Sequence, residues 1–297
     1  MVALPLPEQD MKKLRGIISE VREATQKSGP AYNKLLWQLI CYSPKMPLRF
    51  QQQLLLNEAK KFSLKVFDPY FSDTELSVNG FIWGEGKFKI YLTHGWASKA
   101  ADSDLLIIAL REIPDVQIIA FDAPGNGSSL AELTNAPLFI CALNEIIETY
   151  GKPHVLIGHS IGTMANMVSL KETGSFPKLL IGITPLIRLK ENFEATMTAA
   201  EVPPDAQEGF FTDFEKTYGP IDQLNATKLY TFKNELKYWV AYDEYDRVSP
   251  YEFIKEFLDV NPQVTTQSFI GAGHDKIIKD PALIAAIVKQ VSAITNP

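Results

Sequence analysis

Ser160 stands between two glycines in the run Gly158-His159-Ser160-Ile161-Gly162. The run follows an apolar stretch that predicts a strand and precedes a stretch with helical periodicity. A Gly-x-Ser-x-Gly run at such a turn favours an exposed serine nucleophile. Side chains two positions either side of the serine would collide with the neighbouring strand and helix, so glycine is expected there. The backbone N–H of Ile161 and the positive end of the helix would stabilise negative charge that develops beside Ser160.

A second candidate for stabilising negative charge is the run Thr93-His94-Gly95-Trp96, which directly follows a predicted strand. Acyl transfer needs two backbone donors for the oxyanion of its tetrahedral intermediate. Glycine at position 95 allows the chain to turn closely past the nucleophile. We therefore predict that the Trp96 N–H is one donor and the Ile161 N–H is the other.

Three runs resemble the α/β-hydrolase superfamily: the His-Gly-Trp run, the segment FDAPGNGSS at 121–129, and the run around Ser160. The resemblance covers roughly residues 75–290. It implies that the first run is an oxyanion loop, the second a structural turn and the third the turn that carries the nucleophile. Asp122 and the glycines of the second run are interpreted as structural.

The resemblance also implies a histidine base. The order along the chain in this family is serine, acid, histidine, and of four histidines only His274 follows Ser160. It ends the run GAGH, which resembles the Gly-x-Gly-His loop of the family. We interpret His94 and His159 as structural parts of their turns, and His154, at the start of a strand, as having no chemical role.

The acid that orients the histidine is expected after the predicted strand LKYWVAY, where Asp243, Glu244 and Asp246 are candidates. The run DEYDRVSP resembles the family ending Gly-x-x-Asp-x-x-x-Pro. The resemblance implies that Asp246 is the acid, and Asp243 stays the alternative.

Two charged residues depart from the family pattern, since Arg247 follows the predicted acid and Asp275 follows the histidine. An arginine beside Asp246 would lower the pKa of that acid, and Asp275 would compete for His274. The other interpretation is that both side chains are solvated at the surface.

A serine nucleophile forms a covalent acyl-enzyme, so the expected bond is an ester, thioester or activated amide of a small molecule, with a carboxylic ester or thioester favoured. Two alternatives remain. A carbon–carbon bond hydrolase of this fold uses the same triad, and a non-catalytic relative would use the fold to bind a ligand or partner. No cofactor is implied. The only cysteines, Cys41 and Cys141, lie far apart and outside metal-binding spacing, so no metal site is expected.

The elements that position these residues follow from an alternation of short apolar runs and helical patterns after residue 63. Six runs predict strands buried on both faces: 88–93, 116–121, 154–158, 179–183, 236–242 and 264–270. The helical patterns between them predict an α/β fold with a mostly parallel central sheet and helices on both faces. Segments 64–67 and 75–83 predict an antiparallel start to the same sheet.

Residues 1–62 predict a helical N-terminal extension packed on an α/β-hydrolase domain of residues 63–297. Gly29-Pro30 is expected to end its first helix, and a third helix is expected to cover residues 50–62.

Residues 185–232 form a charged, Phe-rich insertion between two predicted strands. It is longer than a connecting helix requires, and it follows a strand whose carboxyl end faces the active-site edge of the sheet. We predict that it folds into a small, mostly helical cap over Ser160. Its candidates for substrate binding are Phe193, Met197, Phe210, Phe211 and Phe214.

The charge is unevenly distributed, because residues 1–65 carry 11 Lys and Arg against 5 Asp and Glu in a chain of net charge −6. These basic residues are scattered through amphipathic helices, so we expect the helices to lie against the acidic body and expect no nucleic-acid partner. The same helices are candidates for a homodimer contact. The N-terminus has no basic start, and no stretch reaches the roughly 18 apolar residues of a membrane span, which predicts a cytoplasmic protein without one.

Overall fold

The structure, a computed structural model, describes residues 7–232 and 236–295. Within these residues there are eight strands: β1 Lys60–Asp68, β2 Thr74–Trp83, β3 Phe88–Thr93, β4 Val116–Asp122, β5 Val155–His159, β6 Leu179–Ile183, β7 Lys237–Asp243 and β8 Thr265–Phe269. They form one sheet in the order β1-β2-β4-β3-β5-β6-β7-β8. The pairs β1/β2 and β2/β4 are antiparallel and the other pairs are parallel. The predicted mostly parallel sheet with an antiparallel start is confirmed.

Helices cover both faces of the sheet. The described residues contain twelve: α1 Pro7–Glu23, α2 Gly29–Cys41, α3 Phe50–Glu58, α4 Asp104–Leu110, α5 Ala136–Tyr150, α6 Ile161–Thr173, α7 Leu189–Ala199, α8 Pro204–Tyr218, α9 Ala226–Leu229, α10 Tyr251–Val260, α11 Gly273–Lys276 and α12 Pro281–Thr295. Helices α3, α4 and α12 pack on one face, and α1, α2, α5, α6 and α10 pack on the other. Among the described helices, none is both long enough and apolar enough to cross a membrane.

Alternate side chains of the central strands enter two separate cores. In β4, Ile119 and Phe121 join one core, whereas Ile118 and Ala120 join the other, because successive side chains of a strand point to opposite faces. This double burial explains the continuous apolar runs of the central strands. Strand β8 differs, since residues 265–268 are exposed at the edge of the sheet. The prediction of burial on both faces was wrong for this strand.

The N-terminal extension is divided between the two faces of the sheet. Helices α1 and α2 lie on the same face as the 185–232 insertion, whereas α3 packs beside α4 on the opposite face. Helix α3 ends before Phe62, because β1 begins at Lys60 and pairs with β2, where Gly80 leaves room for the Phe62 ring. Gly29-Pro30 begins α2 instead of ending α1, since proline suits a first helical turn, whose N–H groups have no partner within the helix.

The 185–232 insertion folds into α7, α8 and α9 between β6 and β7. Pro203 precedes α8 and Pro204 is its first residue, so the two prolines separate α7 from α8. Both of these helices contact α2. The insertion therefore lies between the N-terminal helices and the carboxyl ends of the parallel strands.

Candidate active site

Ser160 occupies the turn between β5 and α6, with φ of 51° and ψ of −122°. A side chain at this positive φ is strained and persists only where the surrounding structure holds it. The Ser160 N–H donates to the carbonyl of Ile183 (3.0 Å), and the Ser160 carbonyl accepts from the N–H of Thr163 (3.0 Å). These bonds hold the serine at the carboxyl edge of the sheet, where ligands of α/β folds bind.

The two glycines of the turn lie against neighbouring backbone. A Cβ atom on Gly158 would be 2.6 Å from the backbone nitrogen of Thr163, and one on Gly162 would be 2.5 Å from the carbonyl oxygens of Thr93 and His94. Helix α6 therefore begins in direct contact with the loop that follows β3. This contact supplies the physical reason for the glycine spacing around the serine.

Gly162→Ala is expected to destabilise the protein by about 1–3 kcal/mol, because the added methyl group overpacks the contact between α6 and the loop after β3. Gly209 on α8 is a matched control, since nothing lies within 4 Å of its Cβ position. Gly209→Ala is expected to stabilise by about 0.5–1 kcal/mol through helix propensity. Thermal unfolding measures both effects, and shifts of the same sign would contradict this explanation.

His274 forms a buried pair with Asp246. Its Nδ1 lies 2.7 Å from Asp246 Oδ2, and the Asp246 side chain is 0% exposed. The other carboxylate oxygen accepts from the backbone N–H groups of Val248 (2.8 Å) and Ser249 (3.0 Å). An ionised carboxylate only accepts hydrogen bonds, so the imidazole carries its proton on Nδ1 and leaves Nε2 available as a base.

Asp243, the alternative acid, holds the loop that carries His274. Its Oδ1 accepts from the N–H of Tyr245 (2.8 Å), and its Oδ2 accepts from those of Ala272 (2.8 Å) and Gly273 (3.1 Å). Both carboxylate oxygens are therefore occupied by backbone donors from two loops. The arrangement gives Asp243 the role of a positioning residue and leaves the imidazole contact to Asp246.

Ser160 and His274 line one cavity of 810 Å³, here called the main cavity, together with Trp96 and Ile161. Within the described residues, no hydrogen bond joins the Ser160 hydroxyl to His274. Such bonds often reach productive geometry only in the complex with substrate. The fold brings the predicted nucleophile, base and acid to the same edge of the sheet.

The two predicted oxyanion donors flank the serine. In the part of the chain that the structure describes, the backbone N–H groups of Trp96 and Ile161 donate to no other protein group. Gly95 passes so close that a Cβ atom on it would lie 3.4 Å from the Cβ of Ser160. The loop after β3 and the start of α6 thus offer two free backbone donors beside Ser160.

Two buried histidines hold the loops of the site. His94 Nε2 accepts from the N–H of Ala123 (3.0 Å) and its Nδ1 donates to the carbonyl of Gly95 (2.7 Å). His159 Nε2 donates to the carbonyl of His274 (2.9 Å). Burial lowers the pKa of His94, and burial followed by the nearby His274 lowers the pKa of His159 to about 3. Both rings therefore stay neutral and fix backbone positions.

Arg247 and Asp275 both line the main cavity with exposed side chains. Among the described residues, one group of potential metal ligands is compact: the donor atoms of His159, His274 and Asp275 lie within 4.8 Å of one another. A metal ion there would compete with the hydrogen bonds that the two histidines make to a carbonyl and to Asp246. The arrangement therefore suits proton transfer at His274 better than metal ligation.

Helices α1 and α2 form one wall of the main cavity, which the pattern of the sequence does not predict. Seven residues from this region line it: Leu14, Ile18, Arg22, Leu39, Ile40, Tyr42 and Pro44. The only feature of the sequence that pointed to this wall was the apolar stripe of each helix. A stripe shows that one face is buried, but it does not show that the face borders a cavity.

The predicted substrate-binding residues of the insertion fall into two groups. Phe193 lines the main cavity, and both Phe193 and Phe214 line an adjoining smaller cavity. Phe210 packs against Trp37 of α2 with ring centroids 4.8 Å apart. The structure corrects the prediction for three side chains, which are buried between the insertion and its neighbours and line neither cavity: Met197, Phe210 and Phe211.

Several solved structures share this fold at low sequence identity. An esterase from Thermogutta terrifontis with malate bound is 16% identical, with a TM-score of 0.55 over 78% of this chain and 99% of its own. An esterase from Pyrococcus furiosus is 17% identical, with a TM-score of 0.59 over 85% and 96%. The thioesterase domain of the curacin biosynthetic pathway is 14% identical, with a TM-score of 0.56 over 78% and 99%.

No curated protein matches the chain. The model of the Alpha/beta hydrolase family matches residues 90–287, which run from β3 to α12. This stretch contains the serine turn, the loop that carries His274 and every parallel strand pair of the sheet. The chain therefore belongs to the alpha/beta hydrolase family.

Proposed function

We propose that the chain is a serine hydrolase that cleaves a carboxylic ester or thioester of a small molecule. Ser160 is the nucleophile, His274 the general base and Asp246 the acid that orients it. The observation that carries the proposal is the contact between His274 Nδ1 and the buried Asp246 at the cavity that Ser160 lines. The esterase and thioesterase names of structures with the same fold support this reaction class.

In the proposed reaction, Ser160 Oγ attacks the acyl carbon while its proton passes to His274 Nε2. Asp246 stabilises the imidazolium through the Nδ1 proton. The N–H groups of Trp96 and Ile161 donate to the oxyanion of the tetrahedral intermediate. Collapse of this intermediate releases the alcohol or thiol, which takes its proton from His274, and leaves an acyl group on the serine.

Hydrolysis of the acyl-enzyme repeats these roles with water as the nucleophile. His274 takes a proton from the attacking water, and collapse of the second intermediate releases the carboxylic acid and returns the proton to Ser160. A carbon–carbon bond hydrolase would share the triad, whereas a non-catalytic binding protein would form no covalent adduct. Reaction with a covalent probe therefore separates the binding protein from both hydrolases, and turnover of esters and thioesters separates the two hydrolases.

The test is titration with a fluorophosphonate, which phosphonylates an activated serine. We expect stoichiometric labelling of the folded chain at Ser160, together with turnover in a panel of carboxylic esters and thioesters. Labelling without turnover of any member of the panel would favour the carbon–carbon bond hydrolase. Failure to label would favour the binding protein and contradict the proposed activity.

The logarithm of kcat/KM is expected to rise with unit slope on the acidic side of the pH profile, because a single general base takes the proton of Ser160 only in its unprotonated form. The other histidines do not add to this slope. Burial disfavours their charged forms and so lowers the pKa of His94, His154 and His159. Protonation of these three rings is therefore disfavoured, and a measured slope of two would contradict the assignment of a single base.

A further inference from the structure

A side chamber of 330 Å³ adjoins the main cavity. The two share five lining residues: Ile40, Trp96, Ile161, Leu189 and Phe193. Trp96 and Ile161 also supply the two free backbone donors beside Ser160. The chamber therefore borders the place where the carbonyl group of a substrate would react.

The side chamber is lined mainly by apolar side chains of α2, α5 and α6. Three of its polar side chains already have partners: Asn135, Tyr218 and Glu172. Asn135 Nδ2 donates to the Tyr218 hydroxyl (2.9 Å), and Asn135 Oδ1 accepts from the N–H of Leu138 (3.0 Å). At the exposed outer end, Glu172 accepts from Asn144 (2.7 Å). Because most of the side chains that line the chamber are apolar, a hydrocarbon chain placed there gains by leaving water.

Helix α2 closes the chamber with Trp37 and Cys41. Trp37 is held on α8, since its Nε1 donates to Asp213 (3.1 Å) and its ring stacks on Phe214 with centroids 6.0 Å apart. Asn33 donates to the same carboxylate (2.7 Å). Because α2 lies outside the part of the chain that matches the family model, this wall is a feature of this chain and not of the matched family core.

The main cavity is also lined mostly by apolar side chains, but it differs from the side chamber in its charged side chains. Four charged side chains line it: Arg22, Glu191, Arg247 and Asp275. A polar or small part of a substrate would remain solvated among these groups. The main cavity can thus hold a charged or polar group beside the reacting carbonyl, whereas among the described residues the only charged side chain that lines the side chamber is Glu172 at its exposed outer end.

We propose that the side chamber binds the hydrocarbon chain of a substrate whose carbonyl group reacts at Ser160. The inference rests on the proposed function and names its substrate class. The substrate is an ester or thioester with a long apolar chain on one side of the carbonyl and a small or polar group on the other. Such a chain fits a concave, mostly apolar site of this kind.

To test the proposal, the side chamber is filled by substitutions that enlarge a lining side chain on α5 or on α6. Cys141→Phe on α5 and Val168→Phe on α6 each place a ring in the chamber, and Glu148→Phe, at an exposed position of α5, is the matched control. One substrate series varies the acyl chain of p-nitrophenyl esters from acetate to decanoate. A second series varies the alcohol of acetate esters, so that the two series locate the chain on the acyl or the alcohol side. Thermal unfolding checks that each variant folds.

The wild-type protein is expected to prefer long chains in one series. Each filling variant should lose about tenfold or more in kcat/KM for long chains, with short esters unchanged, as for other changes in hydrophobic pockets. Glu148→Phe should keep the wild-type ratio. Folded variants that keep the wild-type ratio in both series would overturn the proposal. A wild-type protein that hydrolyses no ester or thioester would instead overturn the proposed function, so the two failures are distinguishable.

Discussion

Ser160→Ala is expected to lower kcat by about 10⁴-fold or more, the scale of loss when a member of a serine triad is removed. The methyl group cannot attack the acyl carbon, so only the oxyanion donors and substrate binding remain to assist attack by water. Steady-state hydrolysis of the best ester, together with fluorophosphonate labelling, measures the loss. Hydrolysis near the wild-type rate would show that Ser160 is not the nucleophile.

A second substitution separates loss of chemistry from loss of structure. Ser160 has a φ of 51°, which strains any side chain at this position. Glycine adopts positive φ freely, so Ser160→Gly is expected to be about 1 kcal/mol more stable than Ser160→Ala while equally inactive. If the glycine variant unfolds at a lower temperature than the alanine variant, the strain at this turn has been misjudged.

Asp246→Asn is expected to lower kcat by roughly 10⁴-fold with little change in stability. The amide oxygen can keep the bonds from Val248 and Ser249. The amide nitrogen then faces His274 and donates where the carboxylate accepted. The imidazole is forced to carry its proton on Nε2, which is the wrong tautomer for taking the proton of Ser160.

Asp243→Asn is expected to lower stability more and kcat less than Asp246→Asn does. Both oxygens of Asp243 accept from backbone N–H groups, so an amide nitrogen would face a donor on one side and leave buried groups unsatisfied. We expect a loss of about 1–3 kcal/mol in stability and a smaller loss in kcat than for Asp246→Asn. Parallel measurement of kcat and of thermal unfolding for both variants decides the matter. A larger kcat loss for Asp243→Asn would make Asp243 the acid.

The fold could be predicted because both periodicity and spacing are local. Buried parallel strands appear as unbroken apolar runs, and the helices between them have their own period. Local patterns gave wrong predictions where contacts with a distant segment of the chain determine the secondary structure or the burial of a residue. Phe62 continues the pattern of α3 but belongs to β1, because pairing with β2 and the space over Gly80 favour the strand. The run at 264–270 is a strand, yet its position at the sheet edge leaves most of it exposed.

Local sequence patterns also could not decide between Asp246 and Asp243 as the acid of the triad. Spacing to Pro250 favoured Asp246 and left Asp243 open. The two carboxylates stand three residues apart, and both are buried. Their different contacts depend on which part of the loop after β8 reaches each of them. The His274 ring meets Asp246, whereas backbone N–H groups of the same loop meet Asp243.

By itself the sequence determined the fold class, the serine turn and the candidate residues of the triad, because each is encoded in short runs whose neighbours along the chain are also neighbours in space. Only the tertiary structure decided that α1 and α2 line the main cavity and that α2 closes the side chamber. It also decided that Phe210 and Phe211 are buried packing residues. A cavity is the space that distant elements leave between them, and an apolar stripe shows that a face is buried without showing what covers it.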